Sequence, residues 1–123
     1  MILARALVVA AGGTIGVAAR MLLGFVVPDA GGVPLGVLTA NVAGAFLLGV
    51  LAARLPSGTV RLLLGTGVLG GFTTYSALAV GSVELWTRAP LLALAYAAGS
   101  IVLGLAAVAL GLRVARPRAE GER

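Results

Sequence analysis

Four apolar stretches, separated by turns of only a few residues, fill almost all of this 123-residue chain. Each is close to the roughly 20 residues that a helix needs to cross a bilayer. The first runs from Ile2 to Val27 and ends in a turn built from Pro28, Asp29, Gly31, Gly32 and Pro34. The second runs from Leu35 to Ala53 and closes at Arg54, Pro56, Ser57 and Gly58. The third extends from Val60 to Trp86 and closes at Arg88 and Pro90, and the fourth from Leu91 to Val114. The spacing predicts an all-α integral membrane protein. Residues 1–114 form one four-helix transmembrane domain, and residues 115–123 form a basic cytoplasmic tail.

Composition supports lipid as the solvent. Hydrophobic residues make up 60% of the chain and charged residues 11%, against about 25% charged in an ordinary soluble domain. A soluble chain this short has too little interior to hide so much apolar surface. Nineteen glycines would weaken soluble helices, whereas in membranes glycine lets helix backbones approach closely. Arg5 ahead of the first apolar run faintly resembles a signal peptide, but the run is too long for a signal core and reads as a retained helix.

The basic residues are all arginine, and the net charge is +5. Nucleic acid is not the implied partner, because Arg113 at the end of the last apolar run and Arg116, Arg118 and Arg123 beyond it suit anionic headgroups. Four spans place both termini on one side. That side carries Arg5, Arg54, Arg61, Arg113, Arg116, Arg118 and Arg123; the other carries Arg88 alone. The excess predicts cytoplasmic termini.

The third span is not a plain helix. Gly65, Gly67, Gly70 and Gly71 lead directly into Phe72, Thr73, Thr74, Tyr75 and Ser76. Gly67 and Gly71, four apart, also suit close helix packing. Packing does not account for the hydroxyl run after them, which predicts a break between Gly70 and Ser76. Broken backbone at membrane depth must be buried in protein or line a polar cavity.

Polar side chains within the spans are few, and such residues mark function by default. Arg20 either snorkels to the headgroups or acts as a buried cation that draws anions or bonds loop carbonyls. Asn41, beside Thr39, is either interhelical glue or an N–H donor to an anion. Tyr96, Ser100 and Gly104 share a helix face, as a packing seam or a polar track. Gly12 and Gly16 look like packing positions. No acidic residue lies in the middle of a span: Asp29, Glu84, Glu120 and Glu122 fall in turns, ends or tail. A proton-coupled exporter needs such a carboxylate. With no histidine and no cysteine, acid–base and thiol chemistry are disfavoured too. A cage of backbone carbonyls at the helix break remains open to a monovalent cation.

Three stretches carry a resemblance over nearly the whole chain. They are Gly12-Gly13 with Gly16 and Arg20; the run from Gly36 to Gly49 around Asn41; and Gly70-Gly71-Phe72-Thr73-Thr74-Tyr75-Ser76. In this order the chain resembles the CrcB/Fluc family of fluoride channels. The resemblance implies an antiparallel dimer with two pores. It implies a structural, non-transported sodium ion (Na+) at the dimer centre, matched here by the Gly70 and Thr73 carbonyls. The implied fluoride pathway is Asn41, Tyr75, Ser76, Tyr96 and Ser100, with Arg20 as a structural or anion-attracting residue. The chain departs from the pattern where the family has two phenylalanine rings, since the positions here are Tyr75 and Leu78. Gly104 and Val108 also stand where hydroxyls are expected.

Three functions follow as expectations. The first is a passive channel that lets cytoplasmic fluoride escape through the cell membrane. The second is a non-conducting subunit paired with a related, conducting chain. The third, a small proton-coupled exporter, lacks its carboxylate. The arginine excess generates a direct test. A single cysteine added at the C-terminus is expected to react with a membrane-impermeant maleimide only after cells are permeabilised. Equal labelling from both sides would contradict a fixed orientation.

Overall fold

The computed structural model describes residues 1–117. Arg118, Glu120, Glu122 and Arg123 of the expected tail lie outside the described residues. Helix α1 spans Ile2–Val26 and α2 spans Leu35–Arg54. The third span, Thr59–Trp86, comes in two pieces. The first, α3, covers residues 59–72 as three windings: Thr59–Arg61, the π-helical Leu62–Leu69, and Gly70–Phe72. The second, α4, is Tyr75–Trp86, and α5 is Pro90–Ala115. All four spans are long and apolar enough to cross a membrane, and each limit lies within one residue of its sequence expectation. The 20 residues of α2 rise about 30 Å, the thickness of the hydrocarbon core.

The turns have local causes. Ala30 and Val33 exchange backbone hydrogen bonds of 3.2 and 3.0 Å across Gly31 and Gly32. Both glycines hold positive φ, 62° and 82°, a geometry that residues with a Cβ resist. Pro90 occupies the first turn of α5, where its missing N–H costs nothing.

Large apolar side chains face outward. Phe25 and Leu91 are 84% and 83% exposed, as lipid permits and water would penalise. The buried core is small: Ala40, Leu85, Ala93, Tyr96 and Ala115. Backbone proximity replaces side-chain volume at the two main seams. Along α1 and α3, a Cβ on Gly12 would lie 2.6 Å from the Leu63 carbonyl oxygen, and one on Gly16 would strike the Val68 carbonyl. The Gly67 and Gly71 backbones meet Gly12 and Gly13 from the other side. Between α2 and α5, Gly49 faces the Val108 carbonyl and Gly111 the Phe46 carbonyl.

The third span breaks within the interval expected from the sequence, Gly70 to Ser76, but not in its glycine run. That run stays wound, first as a wide π-turn and then as one α-turn, and the helix breaks after it, at Thr73–Thr74. Gly65 and Gly67 present no Cβ against the neighbouring helices, so the wider winding meets no steric resistance there.

The seam generates a paired test. Gly16→Ala places a methyl against backbone that no rotamer change can relieve and is expected to cost about 1–3 kcal/mol. Gly24→Ala, on the same helix but facing open space, is expected to be neutral or stabilising by up to about 1 kcal/mol. Thermal unfolding in detergent, followed by circular dichroism, compares them. Equal behaviour would contradict the seam.

Candidate functional site

Thr73 and Thr74 are the residues at which the third span leaves helical backbone. Their φ/ψ values are −78°/157° and −152°/120°, both extended. Thr73 closes the half above it: its N–H and its hydroxyl both donate to the Leu69 carbonyl, at 3.0 and 2.9 Å. Thr74 opens the half below, accepting from the Ala77 N–H at 3.2 Å, an ordinary N-cap for threonine.

Asn41 reaches the break from α2. Its Nδ2 donates to the Thr74 carbonyl at 2.9 Å, and its Oδ1 accepts from the Thr74 N–H at 2.7 Å. The side-chain amide replaces, at one residue, both bonds that helical backbone would have made. This pairing also fixes the amide orientation, since only one assignment satisfies both Thr74 groups. One N–H of Asn41 remains for a ligand.

The consequence falls on neighbouring carbonyls. An unbroken helix would send the Thr74 N–H to Gly70 and the Ala77 N–H to Thr73. Asn41 and the Thr74 hydroxyl take those donors instead. Among the described residues no donor reaches the Gly70 or Thr73 carbonyl. Such carbonyls fit a weakly demanding monovalent cation. The Gly71 carbonyl is served by Arg20, whose Nε donates at 3.4 Å from α1. The arginine therefore ties α1 to the break.

A groove of ≈ 470 Å³ opens at this point. Asn41, Gly70, Thr73, Thr74, Tyr75, Leu78 and Ser100 all border it, and none of its lining residues is charged. Tyr75 is 81% exposed, with its ring projecting from the first turn of α4. A second hollow, of ≈ 320 Å³, shares Leu48 and Gly65 with the groove and leads to Arg61. Gly104 and Val108 line the groove as well, so the missing hydroxyls leave that wall apolar.

Three of the residues singled out in the sequence lie away from this lining. Ser76 is exposed, with its hydroxyl 3.2 Å from that of Thr74. Tyr96 is buried against Leu85 and Ala93, and its hydroxyl has no partner among the described residues. Arg20 acts from the far side of α3. Ser100 borders the groove, but its hydroxyl donates to the Tyr96 carbonyl at 2.6 Å. Its free lone pairs can accept, and its proton is already committed. Sequence reasoning missed Thr74 as the residue that organises the break. The available signal was a threonine placed directly before a new helical run.

The chain as a whole is similar to proteins of a known family. The profile of the family described as "CrcB-like protein, Camphor Resistance (CrcB)" matches residues 7–112. A protein of Paracoccus denitrificans named "Fluoride-specific ion channel FluC" is 48% identical over 116 residues, covering 88% of this chain and 91% of the relative. One of the same name from Methanopyrus kandleri is 42% identical over 113 residues, covering 87% and 86%. Another, from Caulobacter vibrioides, is 43% identical over 121 residues, covering 91% and 95%. The chain is a multi-pass membrane protein and belongs to the CrcB-like family.

Proposed function

We propose that this chain forms a fluoride channel that lets cytoplasmic fluoride leave the cell down its electrochemical gradient. The observation that carries the reading is the broken third span, whose lower half begins inside an uncharged groove. The relatives named as fluoride-specific channels supply the ion. Helix α4 points its N-terminus into the groove, and a helix N-terminus is positive. Half-helices of this kind receive anions at membrane depth. The remaining Asn41 N–H and the electropositive ring edge of Tyr75 add weak donors. Weak donors suit conduction, because an ion held by a bare ammonium would not leave. Leu78 supplies no ring edge, so Tyr75 carries that role alone.

The proposal includes an antiparallel pair of chains around one structural sodium ion. The Gly70 and Thr73 carbonyls of each chain would hold it, and the ion would supply a fixed positive charge that joins the two breaks. The opposite chain is a second copy or a related subunit. The seven-to-one arginine distribution favours the related subunit, because a single orientation in the cell cannot build an antiparallel pair from identical chains.

Liposomes test both forms. Reconstitution from detergent admits both orientations, so the chain alone is expected to release trapped fluoride to an ion-selective electrode while retaining chloride. Release only after addition of a related subunit would assign it the supporting role; no fluoride release in either case would refute the channel. Tyr75→Leu is expected to reduce efflux at least about tenfold, and Tyr75→Phe to preserve it, because only the ring edge is needed. Wild-type efflux in Tyr75→Leu would remove the ring from the pathway. Replacing sodium by N-methylglucamine throughout purification is expected to abolish efflux. Unchanged efflux would eliminate the sodium site.

A further inference from the structure

At the end of the bundle that carries the termini, α2 and α5 finish side by side. Arg54 closes α2, and its Nε donates to the Ala115 carbonyl in the last turn of α5. The bond offsets the partial negative charge of that helix end. It also sets the plane of the guanidinium while leaving its two Nη groups uncommitted among the described residues. Arg54, Arg113 and Arg116 border a recess of ≈ 760 Å³ whose other walls are Val114 and Pro117.

Charge and depth define what fits there. The two carboxylates among the described residues, Asp29 and Glu84, lie toward the opposite end of the bundle. Three guanidiniums thus converge without an acidic neighbour from that part of the chain. The recess lies where the apolar spans α2 and α5 stop, which is headgroup level. Guanidinium forks match phosphate oxygens bidentately. Val114 and Pro117 offer an apolar wall to whatever the phosphate is attached to. A free anion would use the arginines and leave that wall unused; a phospholipid uses both.

We propose that Arg54, Arg113 and Arg116 form a binding site for the headgroup phosphate of an anionic phospholipid, which clamps the ends of α2 and α5 together. The site is separate from the groove and stands whether or not the channel reading does.

Native mass spectrometry of the full chain, released from detergent with phosphatidylglycerol or phosphatidylcholine added, tests it. One phosphatidylglycerol per chain is expected to be retained in preference to phosphatidylcholine. Each headgroup-level arginine is worth roughly fivefold in affinity, so the double variant Arg113→Gln/Arg116→Gln is expected to bind about 25-fold more weakly. The double lysine variant is expected to recover part of the loss. Arg116→Gln alone, beyond the last helical residue, is expected to lose about fivefold and serves if the double variant does not fold. Arg5→Gln, on the same side but outside the recess, is expected to change nothing. Equal retention of the two lipids, or an equal loss in Arg5→Gln, would overturn the site. Displacement of the lipid by equimolar inorganic phosphate would overturn the lipid as its occupant.

Discussion

Between Phe72 and Tyr75 the third span gives up its helical hydrogen bonds at a depth where no bulk water replaces them. A backbone N–H or C=O left unpaired there costs several kcal/mol. Asn41 pays that cost for Thr74 by matching both groups with one planar amide, at 2.7 and 2.9 Å. Much else follows from this pairing. The Thr74 hydroxyl is free to cap α4, the Gly70 and Thr73 carbonyls lose their usual donors, and the N-terminus of α4 comes to lie at the groove. A leucine at position 41 would preserve approximate volume and strand two backbone groups, each at about 1–3 kcal/mol.

The same break depends on close helix packing to hold its surroundings. Lipid gives helices no hydrophobic reason to associate, so contact comes from backbone approach and polar ties. The glycines of α1 meet those of α3, and Arg20 adds a side-chain tie from α1 to the Gly71 carbonyl. Gly44 of α2 lies against the Thr73 methyl, which leaves no room for a side chain between Asn41's helix and the break. The seam that shortens the distance and the amide that fills the vacancy are therefore parts of one arrangement.

The four spans were legible because lipid imposes a length and a polarity that few other constraints override. The break was legible from the Thr73–Ser76 run, since hydroxyl residues have no reason to interrupt an apolar helix in lipid. Its detail was not. Whether glycines wind or break depends on which neighbour presses against them, and Gly12 opposite Gly67 is a fact of tertiary register. For the same reason Arg20, legible as either a snorkelling or a bonding residue, needed the position of the Gly71 carbonyl to distinguish the two. Ser76 and Tyr96 matched a family pattern by position, and only the fold shows that Ser76 is exposed and that Tyr96 packs in a small apolar cluster. Thr74 was visible as one more hydroxyl; its part as the residue received by Asn41 exists only once α2 and the third span are side by side.

In the proposed channel, the Asn41–Thr74 pairing links backbone order to ion passage. Amide hydrogen exchange of residues 73–78, measured beside fluoride efflux in Asn41→Leu, addresses it most directly. Exchange in that segment is expected to accelerate at least about tenfold, with α1, α2 and α5 still protected and efflux lost. Unchanged protection at the break together with normal efflux would contradict it.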